Sequence, residues 1–198
     1  LEREKGSVFI CLSMLVLVTI LAPDKIEFKP IHLKDEISEL AEMAKEIWEE
    51  HYIPIIGKDQ VDYMVKKFQS ESAIQNQLDE NYIYFSVLLN HQSIGYLCYK
   101  KDNDENVLFL SKIYLKKSFR GFGYGKQMIQ FVIRKASELN CQFINLTVNK
   151  YNKNSINAYK RLGFVQKRAL IIDIGNGFVM DDFEMSYDLN SNKTTFST

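Results

Sequence analysis

Apolar and polar positions alternate over residues 26–31, where Ile26, Phe28 and Ile31 are separated by Glu27, Lys29 and Pro30. That is the period of a strand with one buried face, and Pro30 limits it near its end. Ile37, Leu40, Ala41, Ala44, Ile47 and Trp48 then recur at helical spacing, with Asp35 available as a cap. Pro54 disfavours continuation, so this helix is expected to stop near His51 and residues 53–57 to form an apolar loop. Val61, Met64, Val65 and Phe68 make a second helical face, and residues 72–79 a short further helix. Residues 82–89 and 93–99 are β-rich runs joined at Asn90-His91-Gln92, a hairpin signal. A polar turn at 101–105 leads into a strand over 107–115. Met128, Ile129, Val132, Ile133 and Ala136 mark another helix face, followed by a strand at 143–148 and a helix at 155–162. Two last strands, 164–174 and 178–187, flank Gly175-Asn176-Gly177. This order calls for an α/β (α+β) domain with a mixed sheet and helices on both faces.

Between the strand at 107–115 and the helix that follows lies Arg120-Gly121-Phe122-Gly123-Tyr124-Gly125-Lys126. Alternating glycines let successive backbone N–H groups turn toward one point without interference from Cβ atoms. The helix start adds unpaired amides and the positive end of its dipole. The heptapeptide therefore reads as a phosphate or pyrophosphate cradle, or as a glycine-rich connection with two solvated cations. Its spacing fits neither a Walker loop, which needs four residues before Gly-Lys, nor a dinucleotide G-x-G-x-x-G turn.

The 198 residues suit one domain with a sizeable core, and the 46% apolar and 25% charged fractions are ordinary for a globular chain. Lys plus Arg equals Asp plus Glu, so net charge gives no support to a nucleic-acid-binding surface. Cys11, Cys98 and Cys141 are far apart and lack metal-ligand spacing, so buried free thiols in a reducing, cytoplasmic compartment are expected. Residues 8–22 form an apolar run shorter than a bilayer span. We expect residues 1–24 to be an extension that the domain at 25–189 does not require, with membrane association left open by the run itself. The Ser/Thr/Asn-rich tail, 190–198, is expected to be disordered.

A second motif runs from Val148 to Phe164. Asn152, Ile156, Tyr159, Gly163 and Phe164 fall in register with Asn-x-x-Ala-Ile-x-x-Tyr-x-x-x-Gly-Phe, with Ser155 in place of the alanine. Arg120, Gly123 and Gly125 meet the pattern Arg/Gln-x-x-Gly-x-Gly/Ala. Together the two motifs resemble the GNAT superfamily of N-acetyltransferases, over about residues 25–189. The resemblance implies acetyl-CoA as cosubstrate, no metal, and two parallel central strands that splay apart around the acyl carrier. Ile113, Tyr114 and Leu115 would offer a strand edge to the pantetheine amides. Residues Arg120, Gly121, Phe122, Gly123, Tyr124, Gly125 and Lys126 would hold the pyrophosphate, and Asn152 and Ser155 the pantetheine arm.

Tyr159 is implied as general acid to the departing thiolate, since a neutral tyrosine is a proton donor at pH 7. Asn152 equally suits a helix cap and Tyr159 a packed aromatic. Direct attack by a primary amine is expected, because no Cys–His pairing supports an acyl-cysteine route. The general base is not identified. Many relatives carry a glutamate on the central strand where this chain has Ser111 and Lys112, leaving His51 or a distant carboxylate reached through water. Acceptor residues are expected at Trp48, His51 and Tyr52, with Asp181 and Asp182 in the last hairpin. Aromatic faces and carboxylates suit a cationic amine, an arrangement similar to the bacterial polyamine-acetylating branch. The same residues also suit a core with solvated carboxylates. Amino sugars, other small amines and protein amines stay open, as do a homodimer and an acyl-CoA sensor with little turnover.

Overall fold

A computed structural model describes residues 25–102 and 106–191; the run at 8–22, Cys11 and the tail beyond Ser191 lie outside them. The order is β1 (Glu27–Pro30), α1 (Lys34–Ile56), α2 (Lys58–Phe68), α3 (Glu71–Asp79), β2 (Ile83–Leu89), β3 (Gln92–Asp102) and β4 (Val107–Leu115). A 3-10 turn at Lys117–Phe119 precedes α4 (Tyr124–Glu138), β5 (Phe143–Asn149), α5 (Lys153–Arg161), β6 (Val165–Gly175) and β7 (Phe178–Asp188). The strands form one sheet in the order β1-β2-β3-β4-β5-β7-β6. Only β4 and β5 run parallel, as the α4 crossover requires; the other pairs are antiparallel. Pro30 sits on an edge strand, where its missing N–H breaks no inner ladder.

On one face, α4 buries Met128, Ile129 and Val132 against Leu97, Leu108, Ile144 and Met185. On the other, α1 and α3 bury Leu40, Ile47 and Ile74 against Tyr84, Tyr96 and Cys98. A smaller cluster joins Trp48 of α1 to Val61 and Met64 of α2 and Ile174 of β6. Tyr63 and Gln60 of α2 donate to the carbonyls of Ile174 and Val179, so α2 carries the β6–β7 hairpin. Cys98 and Cys141 are buried free thiols, and burial pushes Cys98 up to about 12.

The first helix differs from its expected form. It continues through Pro54 to Ile56, so residues 53–57 are a last helical turn and not a loop. Proline removes one N–H, but the turn closes beyond it through the Gly57 amide, which donates to the Ile53 carbonyl. Ile53 and Ile56 gain burial against the Trp48 cluster, which favours the extra turn. Nor does Asp35 cap the start: the Glu36 carboxylate takes the His32 and Leu33 amides, each at 3.0 Å. Those bonds and Lys29 hold Glu36 down to about 2.

Strands β4 and β5 pair only at Val107↔Phe143, Leu108↔Ile144 and Phe109↔Asn145, then part. The cause lies in β4, where Cys98 faces Lys112 but Tyr99 faces Leu110, leaving Ser111 as a bulge. A bulge bends and twists its strand. Here it carries the last turn of β4 with β3, while β5 stays paired with β7 to its end. Gly95 lets β3 follow: a Cβ there would lie 2.3 Å from the Tyr114 carbonyl oxygen and 3.1 Å from the Leu115 Cα. Gly95→Ala is expected to destabilise by about 2–3 kcal/mol, a Tm fall of roughly 4–12 °C by calorimetry. An unchanged Tm would show that β3 and β4 separate here without loss.

Candidate functional site

The two parted strands end in the two motifs. After β4, Gly121 and Gly123 take φ of 88° and 85°, values that an L side chain rarely adopts, and Gly123 caps α4. Gly125 carries neither constraint: its φ is not positive and nothing lies within 4 Å of where its Cβ would be. The Lys126 and Gln127 amides return to the Gly123 carbonyl, while the amides before them are not used by the helix itself. Tyr124 is buried and anchors the turn; Phe122 projects into solvent. The turn thus leads into the N-terminus of α4 with open space around Gly121 and Gly125. Beside it an open groove of about 350 Å³ runs between Lys126 of α4 and Ala158, Arg161 and Leu162 of α5. Arg161 was not singled out from sequence, since basic residues in a last helical turn, here Lys160 and Arg161, ordinarily complement the helix dipole.

Backbone directions along β4 follow from one bond. The Lys116 amide donates to Ile94 of β3, and strand peptides alternate, so Ile113 and Leu115 turn their N–H and C=O groups to the open side. Arg120 Nε donates to the Leu115 carbonyl at 2.9 Å. The same guanidinium lies 3.9 Å from Glu50, which also pairs with Lys117.

After β5, Asn152 caps α5: its Oδ1 accepts the Ser155 amide at 3.3 Å. That leaves Asn152 Nδ2 to donate to His51 Nε2 at 3.0 Å, a contact that suits a neutral ring. Nδ1 lies 3.5 Å from Arg120. Burial, then the Arg120 charge, lowers the His51 pKa, in keeping with that neutral form. His51 therefore bridges the tips of the two parted strands.

Tyr52, one residue on, is partly buried beside Trp48 (ring centroids 4.6 Å apart) and Tyr114 (6.4 Å). Tyr114 and Asn152 both hydrogen-bond its hydroxyl, yet burial outweighs them and raises its pKa. Burial and the neighbouring Tyr52 likewise raise Tyr159 far above the usual tyrosine range, so its hydroxyl stays protonated. Trp48 Nε1–H is buried with no hydrogen-bond partner among the described residues. The three α1 aromatics thus divide: His51 faces Arg120 and Asn152, whereas Trp48 and Tyr52 line the side toward α2 and the β6–β7 hairpin.

Lys112 points elsewhere. It is buried, donates to Gln77 Oε1 of α3, and lies 5.1 Å over the Tyr84 ring. Burial lowers its pKa. It ties α3 to the sheet and does not reach the parted strands. Among the described residues no group of three His, Cys, Asp or Glu side chains is placed to hold a metal, and no helix is long and apolar enough to cross a membrane.

Comparison with known proteins gives this geometry a family. A model of the Acetyltransferase (GNAT) family matches residues 40–164, the stretch from α1 through both motifs. The chain is 27% identical over 139 residues to an uncharacterized N-acetyltransferase of Lactobacillus delbrueckii subsp. lactis, covering 64% of this chain and 80% of that one. It is 33% identical over 67 residues to a probable spermine N(1)-acetyltransferase of Bacillus subtilis subsp. natto, covering 33% of this chain and 44% of that one. The fold is similar to a Thermoplasma acidophilum N-acetyltransferase solved with coenzyme A, with TM-score 0.68, 19% identity, and 83% and 99% of the two chains covered. The chain belongs to the GNAT family of acetyltransferases.

Proposed function

We propose that this acetyltransferase moves an acetyl group from acetyl-CoA to the primary amine of a small cationic, polyamine-like acceptor by direct attack. The observation that carries the reading is the gap between β4 and β5, edged by the outward-turned peptides of Ile113 and Leu115, of which the Leu115 carbonyl is held by Arg120, and ending at the glycine turn. A pantetheine arm in that gap pairs with those peptides as an added strand. Its pyrophosphate takes the amides from Gly121 to Gly125 together with Arg120, in place of Glu50. Lys126 and Arg161 flank the groove suited to the nucleotide end.

Acetyl-CoA supplies the activated thioester. Tyr159 holds the proton that the departing thiolate needs. Burial keeps that hydroxyl protonated in the free protein. Trp48 and Tyr52 offer aromatic faces to a cationic amine, and the relative named as a spermine acetyltransferase supports that class. A protein amine is the competing acceptor, to be separated by experiment.

Calorimetry with acetyl-CoA, then thiol release with spermidine, thialysine and an alanine-terminated peptide, tests the reading. Binding with release by one amine class is expected. Binding without release from any amine favours a sensor, and no binding overturns the cofactor site. Arg120→Ala is expected to weaken acetyl-CoA binding roughly 10- to 100-fold, as loss of a charge-assisted contact does. Tyr159→Phe is expected to bind acetyl-CoA normally and lose about 10²-fold or more in kcat; an unchanged kcat with chemistry rate-limiting removes Tyr159 as the acid.

A further inference from the structure

An acceptor that arrives as an ammonium has no lone pair, so something must take its proton. Most charged groups around the site are already committed. Glu50 still pairs with Lys117 when Arg120 turns to the pyrophosphate, Asp181 is held by Lys150, and Glu184 by Arg168 at 2.6 Å. His51 has its lone pair on the Asn152 amide and a guanidinium beside it. Lys112 is tied to Gln77.

Asp182 differs from all of these. It is only 7% exposed, and no Lys, Arg or His lies within ion-pair distance among the described residues. It sits opposite Asn149, where β5 ends three residues before the Asn152 cap, and opposite Leu170 of β6. The groups facing it are the Thr147 hydroxyl of β5, Lys150 and Asp181 alongside, and Tyr52 of α1. Tyr52 is electrostatically coupled to both Asp182 and Tyr159, so the carboxylate and the acid share one aromatic neighbour. A buried carboxylate without a counter-ion costs stability, and sites that keep one are enriched in function.

We propose, on the basis of the transferase reading above, that Asp182 is the anionic partner of the acceptor ammonium and the base that deprotonates it. The proton passes from R–NH3+ to the Asp182 carboxylate. The freed nitrogen lone pair forms the N–C bond to the acetyl carbon, and the C–S bond breaks with its electron pair left on sulfur. Tyr159 protonates the thiolate and is restored by the second proton of the acetylated nitrogen. Asp182 releases its proton to solvent, so one proton leaves per turnover.

Burial raises the Asp182 pKa above the ordinary carboxylate value. Its folded state thus binds a proton more readily than the unfolded chain, and stability falls as pH rises through that window. Ionised Asp182 is a burden on the fold at neutral pH, which Asp182→Asn relieves. The test compares wild type and Asp182→Asn, using whichever of spermidine or thialysine the wild type acetylates, with kcat/KM followed from pH 6 to about 10. An amine with pKa of about 10.4 is free base to only about one part in 10³ near pH 7.4. Wild-type kcat/KM is expected to be flat above the Asp182 titration. The variant is expected to lose about 10²- to 10³-fold near neutrality and to recover log-linearly toward pH 10, with acetyl-CoA affinity unchanged and Tm not lowered. A wild-type rate and profile in the variant overturns the proposal. So does a loss equal at every pH or a lowered Tm, which marks a structural carboxylate. Wild-type failure with every amine, despite acetyl-CoA binding, overturns the transferase reading and this proposal with it.

Discussion

Everything at the site depends on two adjacent parallel strands ceasing to pair. Three residue pairs join β4 to β5, and beyond Phe109 and Asn145 each strand follows its other neighbour. Exposed peptide edges inside a protein are costly unless something satisfies them. Arg120 satisfies one, the Leu115 carbonyl, and His51 spans the strand tips from Arg120 to Asn152. The bulge at Ser111 and the close approach of Gly95 to Tyr114 are the local devices that keep the gap open. A ligand with its own amides fits there because it completes a ladder the sheet leaves unfinished.

The surroundings of the gap are asymmetric. On the α4 side lie the glycine turn, a helix N-terminus, Lys126 and Arg161, an environment for phosphates. On the side of α2 and the β6–β7 hairpin lie Trp48, Tyr52, Tyr114 and the buried Asp182, an environment for a cation. Two substrates of opposite charge can therefore approach from opposite sides without competing for the same groups. Tyr159 and Tyr52 stand where the two approaches meet, and burial keeps both hydroxyls protonated.

Much of this was legible in the chain. Strand periodicity marked β4 residue for residue, and the glycine spacing placed a turn at the start of α4. Asn90 and His91 both adopt positive φ in the hairpin turn their sequence suggested. What failed was local reasoning where tertiary contact decides. Pro54 argued for a helix end, but burial of Ile53 and Ile56 against Trp48 carried α1 onward. Asp35 looked like the cap, yet Glu36 reaches back to two amides at once. Lys112 stood where a base was sought, and only the packed structure shows it bound to Gln77. The lack of a counter-ion at Asp182 has no signature in sequence, because Asp181 beside it is paired.

The most direct measurement is amide hydrogen exchange with and without acetyl-CoA, resolved along β4. If the carrier completes the ladder between β4 and β5, the Ile113 and Leu115 amides gain protection on binding while those of β2, on the far side of β3, stay unchanged. Saturating acetyl-CoA that leaves Ile113 and Leu115 exchanging at their unliganded rates would contradict the account.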